Sequence, residues 1–341
     1  LRIIVDAMGG DHAPAEIVKG AVRARRELDL DITLVGREEA LRSCLASEGC
    51  GDIEIVHAGD VITMEDDPST ATRRKKDASM TVALNLLRDG KGDAVVSAGS
   101  TGALLTGATL IVKRIRGIRR AAMAPVLPAG DYGTMLIDCG ANVECTPEYL
   151  LQFAYMGSFY ARKILGCPEP KVGLLNVGTE DGKGGALQHE TFALMRKAGE
   201  EGRIRFIGNI EGTDVFGGKA EVVVTDGFTG NVLLKGSEGV IKYMMHALKG
   251  VFYKNLPNKA AAAVLKKDLT AMKKSLDVNE VGGTAFLGIS KPVIKAHGSS
   301  KSASIFAAIR QAKSFAESGF IHEVEENIEY MKVEGEAHGE A

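Results

Sequence analysis

Short β-branched runs alternate with helix-length amphipathic segments along most of this chain, and that alternation leaves few folds open. Strands are expected at 2–6, 31–35, 53–57, 93–96, 135–138, 171–176, 204–207, 221–225 and 292–295. Periodic stretches at 15–28, 80–88, 147–165 and 302–316 fill most of the gaps. Strand–helix–strand order with near-continuously apolar strands predicts an α/β fold. It is expected as a three-layer α/β/α sandwich, with helices on both faces of a largely parallel sheet. No internal repeat or low-complexity linker divides the chain, so 1–318 is expected as a single α/β catalytic domain. Residues 319–341 are expected as an acidic C-terminal tail: from Glu317 onward there are eight glutamates and one lysine, on a helix that frays after Met331.

The charge balance excludes one class of function. Lys and Arg total 42 against 44 Asp and Glu, a net charge of -2, so the chain lacks the overall basic footprint of a nucleic-acid binder. Five cysteines, at 44, 50, 139, 145 and 167, form no C-x-x-C pair; a reduced, cytoplasmic protein fits better than a disulfide framework or a zinc site. Asp6 ends the apolar run Ile3-Ile4-Val5 at once, so no secretory leader is expected. The longest uncharged stretch, 94–112, carries too much Gly, Ser and Thr to span a bilayer.

One segment breaks the alternation. No strand is expected between Gly239 and Asp277, which reads as a protruding helical hairpin turning at Leu256-Pro257-Asn258. Its second arm aligns Leu265, Leu269, Met272 and Leu276 on one face, and Lys259, Lys266, Lys267, Lys273 and Lys274 decorate the rest. This pattern suits either a packing or dimerisation helix or a basic amphipathic helix lying in the surface of an anionic membrane.

Six expected strands run directly into small glycine-rich turns. The first three are Asp6-Ala7-Met8-Gly9-Gly10-Asp11-His12, Ser97-Ala98-Gly99-Ser100-Thr101-Gly102 and Asp138-Cys139-Gly140-Ala141-Asn142. The others are Asn176-Val177-Gly178-Thr179-Glu180-Asp181-Gly182-Lys183-Gly184, Thr225-Asp226-Gly227-Phe228-Thr229-Gly230-Asn231 and His297-Gly298-Ser299-Ser300. In a parallel sheet the strand C-termini share one edge, and glycine there lets backbone amides approach an anion, so a phosphate-binding edge is expected. The named nucleotide motifs fail: no G-x-G-x-x-G follows the first strand, and Gly178 to Lys183 is one residue short of a P-loop and lacks the following Ser or Thr. There is no G-x-S-x-G elbow and no H-E-x-x-H. Asp6, Asp11, Asp138 and Asp226 could hold a cation, yet aspartate at a strand end more often caps a turn or helix; no metal or cofactor is expected. His12 and His297 stand at the mouths of two turns, and Lys183, flanked by glycines, is free to reach an anion. Arg73-Arg74-Lys75-Lys76 and the group Lys113, Arg114, Arg116, Arg119 and Arg120 are basic clusters suited to an acidic partner.

The opening Arg2-Ile3-Ile4-Val5-Asp6-Ala7-Met8-Gly9-Gly10-Asp11-His12-Ala13-Pro14 resembles the signature of the bacterial phosphate acyltransferase family. The later turns follow in the same order, as does Arg73 to Lys76, so the resemblance spans about residues 2–318. Ser100 stands where the family often has Asn, and Gly182 where a second lysine is common. The resemblance implies transfer of a long-chain acyl group from acyl carrier protein to inorganic phosphate, giving acyl phosphate for phospholipid synthesis. It also implies a homodimer related in fold to phosphotransacetylases and isocitrate dehydrogenase-like enzymes. On this reading Lys183 carries phosphate and transition-state charge, Asn231 is an oxyanion or phosphate donor, and His12 protonates the departing thiolate. Asp6, Gly9, Gly10, Asp11, Ser97, Gly99, Ser100, Thr101, Gly102, Asn142, Asn176, Thr179, Asp226, Thr229, Gly230, His297 and Gly298 line the substrate. Arg73, Arg74, Lys75 and Lys76 dock the carrier protein; Leu265, Leu269, Met272, Lys266 and Lys273 hold the enzyme peripherally on the inner face of the cell membrane, beside the glycerol-3-phosphate acyltransferase that uses its product. Two alternatives remain: a phosphotransacetylase-like enzyme using acyl-coenzyme A, and a non-catalytic membrane scaffold.

Overall fold

The computed structural model describes residues 1–275 and 282–333. The chain opens with β1 (Arg2–Asp6), α1 (Ala15–Leu28), β2 (Asp31–Gly36), α2 (Glu38–Ser47) and β3 (Glu54–His57). It continues through α3 (Ala71–Arg74), α4 (Ser79–Arg88), β4 (Ala94–Ser97), α5 (Thr101–Gly107) and β5 (Ala122–Ala124). A second group comprises β6 (Val126–Leu127), β7 (Thr134–Ile137), α6 (Pro147–Lys163), β8 (Lys171–Leu175), α7 (Ala186–Glu200), β9 (Arg205–Ile210), α8 (Gly212–Val215) and β10 (Val222–Val224). Then come α9 (Gly227–Tyr253), α10 (Leu256–Val264), α11 (Lys266–Ser275), β11 (Thr284–Leu287), β12 (Val293–Lys295), α12 (Ser302–Glu317) and α13 (Phe320–Glu326).

The α/β class holds, and the strands divide between two sheets. One has the order β3-β2-β1-β4-β12-β11-β5, the other β6-β7-β10-β8-β9. Ile3, Ile4, Val5, Val95, Val96 and Ile294 are buried, as strands covered on both faces require. The second sheet is an insertion: the chain leaves the first at Ala124, crosses at Pro125, and returns only at β11. The strands that sequence alone does not reveal are β5, β6 and β11. They are also the strands that pair antiparallel, β11 with both β5 and β12, and β6 with β7. Ala-Met-Ala has little β propensity, and Pro125, which cannot donate to a ladder, separates two runs of three and two residues.

α6 joins the two halves. The spacing of 147–165 suggests one apolar face, but from Leu150 to Ala161 the helix is buried all round. Its polar residues are satisfied internally: Gln152 donates to the Gly117 and Met331 carbonyls and accepts from the Arg119 amide, while Glu148 pairs with Arg119 at 3.0 Å. Tyr160 meets Phe315 and Phe320 edge-on at 5.5 and 6.0 Å, tying α6 to α12 and α13. Phe320, Val324 and Met331 are therefore core residues, and the expected tail begins inside the fold; residues 334–341 lie outside the described residues.

The hairpin differs from expectation in detail. α9 starts at Gly227, directly after β10, and the turn falls at Lys254-Asn255. Asn255 caps α10, its Oδ1 accepting from the Asn258 amide at 2.9 Å, and Pro257 sits in the first turn, where a missing N–H costs nothing. The expected turn residues Leu256-Pro257-Asn258 thus begin a helix, because the cap lies one residue before them. Leu276 and Asp277, the expected end of the second arm, lie outside the described residues, as does the Lys273 side chain.

Candidate functional site: a cleft between two glycine-rich sheet edges

β1, β4 and β12 are parallel neighbours, so three of the predicted turns emerge side by side. Glycine is required where they meet. A Cβ on Gly9 would lie 2.7 Å from the Gly99 amide nitrogen, and Gly10, at φ +104°, lies against the Gly298 carbonyl. The Asp11 amide donates to that carbonyl at 2.8 Å. Asp6 is fully buried beneath the turns: Ser97 Oγ donates to it at 2.6 Å, and the Met8 amide at 3.3 Å. Burial raises the Asp6 carboxyl above its ordinary value, and these hydrogen bonds oppose the rise. Asp6 is a pin that shapes the edge.

The second sheet contributes the turns after β7, β10 and β8. Asp138 is buried and accepts from the amides of Met123 (2.9 Å), Ala141 (3.2 Å) and Asn142 (2.6 Å) and from Asn142 Nδ2 (3.0 Å). Asn142 also donates to the Ala121 carbonyl, so its side chain is spent on holding the turn. Asp226 caps α9, accepting from the Thr229 amide and hydroxyl at 2.8 and 2.7 Å. The first turn of α9 sits against the Asp138 turn so closely that a Cβ on Gly230 would collide with the Asp138 carbonyl oxygen. That contact aims Asn231 at Gly140, with its Nδ2 donating to the Cys139 carbonyl at 3.4 Å. After β8, Asn176 closes the lysine loop by donating to the Lys183 carbonyl at 2.9 Å.

Between the two edges lies a cleft of about 360 Å³. Thr101, Gly102, Lys295 and His297 line it from the first sheet; Cys139, Gly140, Asn231, Lys235 and Glu238 line it from the second sheet and α9. Two roomier grooves, one beside Arg25 and Cys50 and one beside Arg162 and Arg205, lie away from the glycine-rich turns. Lys295 is buried, and desolvation pushes its ammonium down to about 8, with Asp6 and Asp11 opposing. His297 Nδ1 accepts from the Ser299 amide at 3.2 Å, which leaves the proton of the neutral ring on Nε2. Desolvation and Lys295 push this imidazole below its ordinary value. Lys235 pairs with Glu238 at 3.2 Å.

Of the predicted site residues, the structure brings Thr101, Gly102, Asn231 and His297 into the cleft wall and uses Asp6, Asn142, Asn176, Asp226 and Thr229 to shape the turns. Ser97 and Gly99 are buried under the first edge, Ser100 precedes α5 without a capping hydrogen bond from its side chain, and His12, Asp11 and Thr179 are exposed. Lys183 lies outside the cleft wall, on the loop after β8, half-exposed and 3.9 Å from Glu180. Of the basic run, Arg73, Arg74 and Lys76 are exposed, whereas Lys75 turns inward to Asp66 at 2.9 Å and the Val61 carbonyl. The main residues missed are Lys295, Lys235 and Glu238. Lys295 ends an apolar strand at the start of a predicted turn, which was the available signal; the other two lie on a helix whose position only the tertiary contact with the Asp138 turn sets. Among the described residues no group of three or more His, Cys, Asp or Glu side chains is arranged to hold a metal.

A family model described as "Fatty acid synthesis protein" matches residues 1–323. A phosphate acyltransferase of Oceanobacillus iheyensis is 48% identical over 318 residues, covering 93% of this chain and 94% of the relative. One of Bacillus cereus is 49% identical over 315 residues, covering 92% and 94%. Among solved structures, a phosphotransacetylase from Streptococcus pyogenes superposes with a TM-score of 0.62 at 18% identity, covering 93% of this chain and 94% of that one. The EutD phosphotransacetylase from Staphylococcus aureus gives 0.58 at 16%, covering 92% and 94%. The glycine-rich edges therefore sit on a phosphotransacetylase-like fold, and the chain belongs to the phosphate acyltransferase family of fatty acid synthesis proteins.

Proposed function

We propose that the chain transfers a long-chain fatty acyl group from acyl carrier protein to inorganic phosphate, by direct attack of phosphate on the thioester. The observation that carries this reading is the cleft: two glycine-rich edges face each other across a space for a small anion and an acyl carbonyl, with Lys295, Lys235 and Asn231 in its wall.

Phosphate is already an oxyanion at neutral pH, so no protein nucleophile is needed. Its oxygen bonds to the carbonyl carbon, the carbonyl electrons move onto oxygen, and their return expels the sulfur as thiolate. The protein's part is to hold phosphate in line with the carbonyl and to stabilise the tetrahedral oxyanion. Asn231, fixed by the Gly230 contact, is the proposed oxyanion donor. Lys183 is the proposed carrier of transition-state charge, since β8 is the neighbour of β10, whose turn bears Asn231. His12 is the proposed proton donor to the departing thiolate.

Partners follow from the surface. Arg73, Arg74 and Lys76 offer a basic patch to the acidic carrier protein. No helix among the described residues is long and apolar enough to cross a membrane. The hairpin instead exposes Tyr243, Met244, Val251, Leu256, Val264 and Leu265, which supports a peripheral seat on an anionic membrane or a homodimer contact. The test of the reaction is an assay of purified protein with palmitoyl acyl carrier protein and phosphate, with palmitoyl-coenzyme A in parallel, following acyl phosphate and freed thiol. Phosphate-dependent thiol release from the carrier protein is expected. Release only from coenzyme A would reassign the donor, and none from either would remove the reading.

A further inference from the structure

We infer that Lys295 is the buried cation on which the phosphate substrate is seated. The inference rests on the acyl-to-phosphate reading and adds to it a residue that the glycine-rich motifs do not contain. Lys295 ends β12 in the cleft wall, beside His297 and across from Asn231 and Lys235, and is 7% exposed. Its ammonium donates to the carbonyl of Ala296, and the carboxylates of Asp6 and Asp11 favour its charge without forming an ion pair with it. An ammonium has three donors, and burying a charge without an ion pair is costly. Five residues further, in the same strand-end turn, the buried Ser300 hydroxyl has no hydrogen-bond partner. The cleft wall holds this buried cation, a carboxamide and a second lysine paired with Glu238, an arrangement complementary to a small anion, and phosphate is the small anion of the reaction.

The surrounding charges set how the site behaves without its anion. Asp6 on β1 and Asp11 in the following turn favour the ammonium; Lys235 on α9 opposes it, and His297 adjoins it, itself influenced by Glu238. Burial outweighs the carboxylates, so the empty site loses its proton near pH 8. A bound dianion restores the charge, so phosphate binding takes up a proton on the alkaline side and its affinity falls as pH rises.

The test compares wild type with Lys295→Met, an apolar side chain of similar length. Two readouts are taken: the rise in melting temperature on adding inorganic phosphate, and the KM for phosphate. The variant is expected to fold at least as stably as wild type, to lose the phosphate-induced rise, and to raise KM by about 10–100-fold, the size of one charge-assisted hydrogen bond. A variant that keeps both the wild-type rise and the wild-type KM overturns the inference and leaves the reaction intact. Wild type without phosphate-dependent thiol release removes the reaction itself. If Lys295→Met does not fold, calorimetry of phosphate binding to wild type at pH 8 in two buffers of different ionisation enthalpy decides the matter. Net proton uptake is expected, and none overturns the inference.

Discussion

At the residue scale, the acids of the glycine-rich turns and the lysines around them do different work. Asp138 accepts four hydrogen bonds in a buried turn, so Asp138→Asn puts an NH₂ where two donors already point. A loss of about 1–3 kcal/mol in urea unfolding is expected. Lys183 is half-exposed and its ammonium lies 3.9 Å from the exposed Glu180, so Lys183→Ala should leave the melting temperature in place while turnover falls by ~10²–10³-fold at saturating phosphate. Near-normal turnover would make it a surface residue. Lys295 links the site to pH. Its unfolded form keeps a proton up to its ordinary value of 10.5, whereas the folded form releases it at about 8. Between those values the unfolded chain holds more protons, so raising pH favours the fold. Without phosphate, the stability difference between wild type and Lys295→Met should therefore shift in favour of wild type from pH 8 to 10. A difference independent of pH would mean that Lys295 is not desolvated.

At the element scale, α9 serves both site and surface. Its first turn is locked to the Asp138 turn through Gly227 and Gly230, and its later turns leave the domain and carry the α10–α11 arm. Leu265 is exposed and Leu269 half-buried, so Leu265→Glu with Leu269→Glu should spare the catalytic fold. Flotation with anionic vesicles should show wild type bound, reversibly and salt-sensitively, and the double variant released, with activity on soluble acyl carrier protein retained. A dimer split in the ultracentrifuge, with no vesicle binding by wild type, would identify the hairpin as a subunit contact instead.

At the scale of the whole molecule, the second sheet is inserted into the first, and the cleft exists because two parallel edges are brought face to face. Arg73, Arg74 and Lys76 project from the first half, so reversing these three to Glu should raise the KM for acyl carrier protein, and added salt should have the same effect on wild type. Lys75 is left out because its ion pair with Asp66 is structural. An unchanged KM would move the docking surface to the Lys113–Arg120 region.

The sequence by itself determined every long parallel strand, the glycine-rich turns that end them and the family they identify. Each of these is written locally, as a β-branched run or as a cluster of small residues at its end. The tertiary structure decided what depends on distant partners. β5, β6 and β11 are short strands that exist only through antiparallel pairing with partners distant in sequence or set across the turn after Pro125. The resemblance places Asp226 and Asn142 against the substrate, and only their hydrogen bonds show them spent on a helix cap and a turn. Lys295 looks like the end of an apolar strand, and Lys235 like a helix-surface lysine. Only the facing of two sheet edges puts both in one cleft and buries the first without an ion pair among the described residues, because burial and ion pairing are properties of the fold and not of the residue.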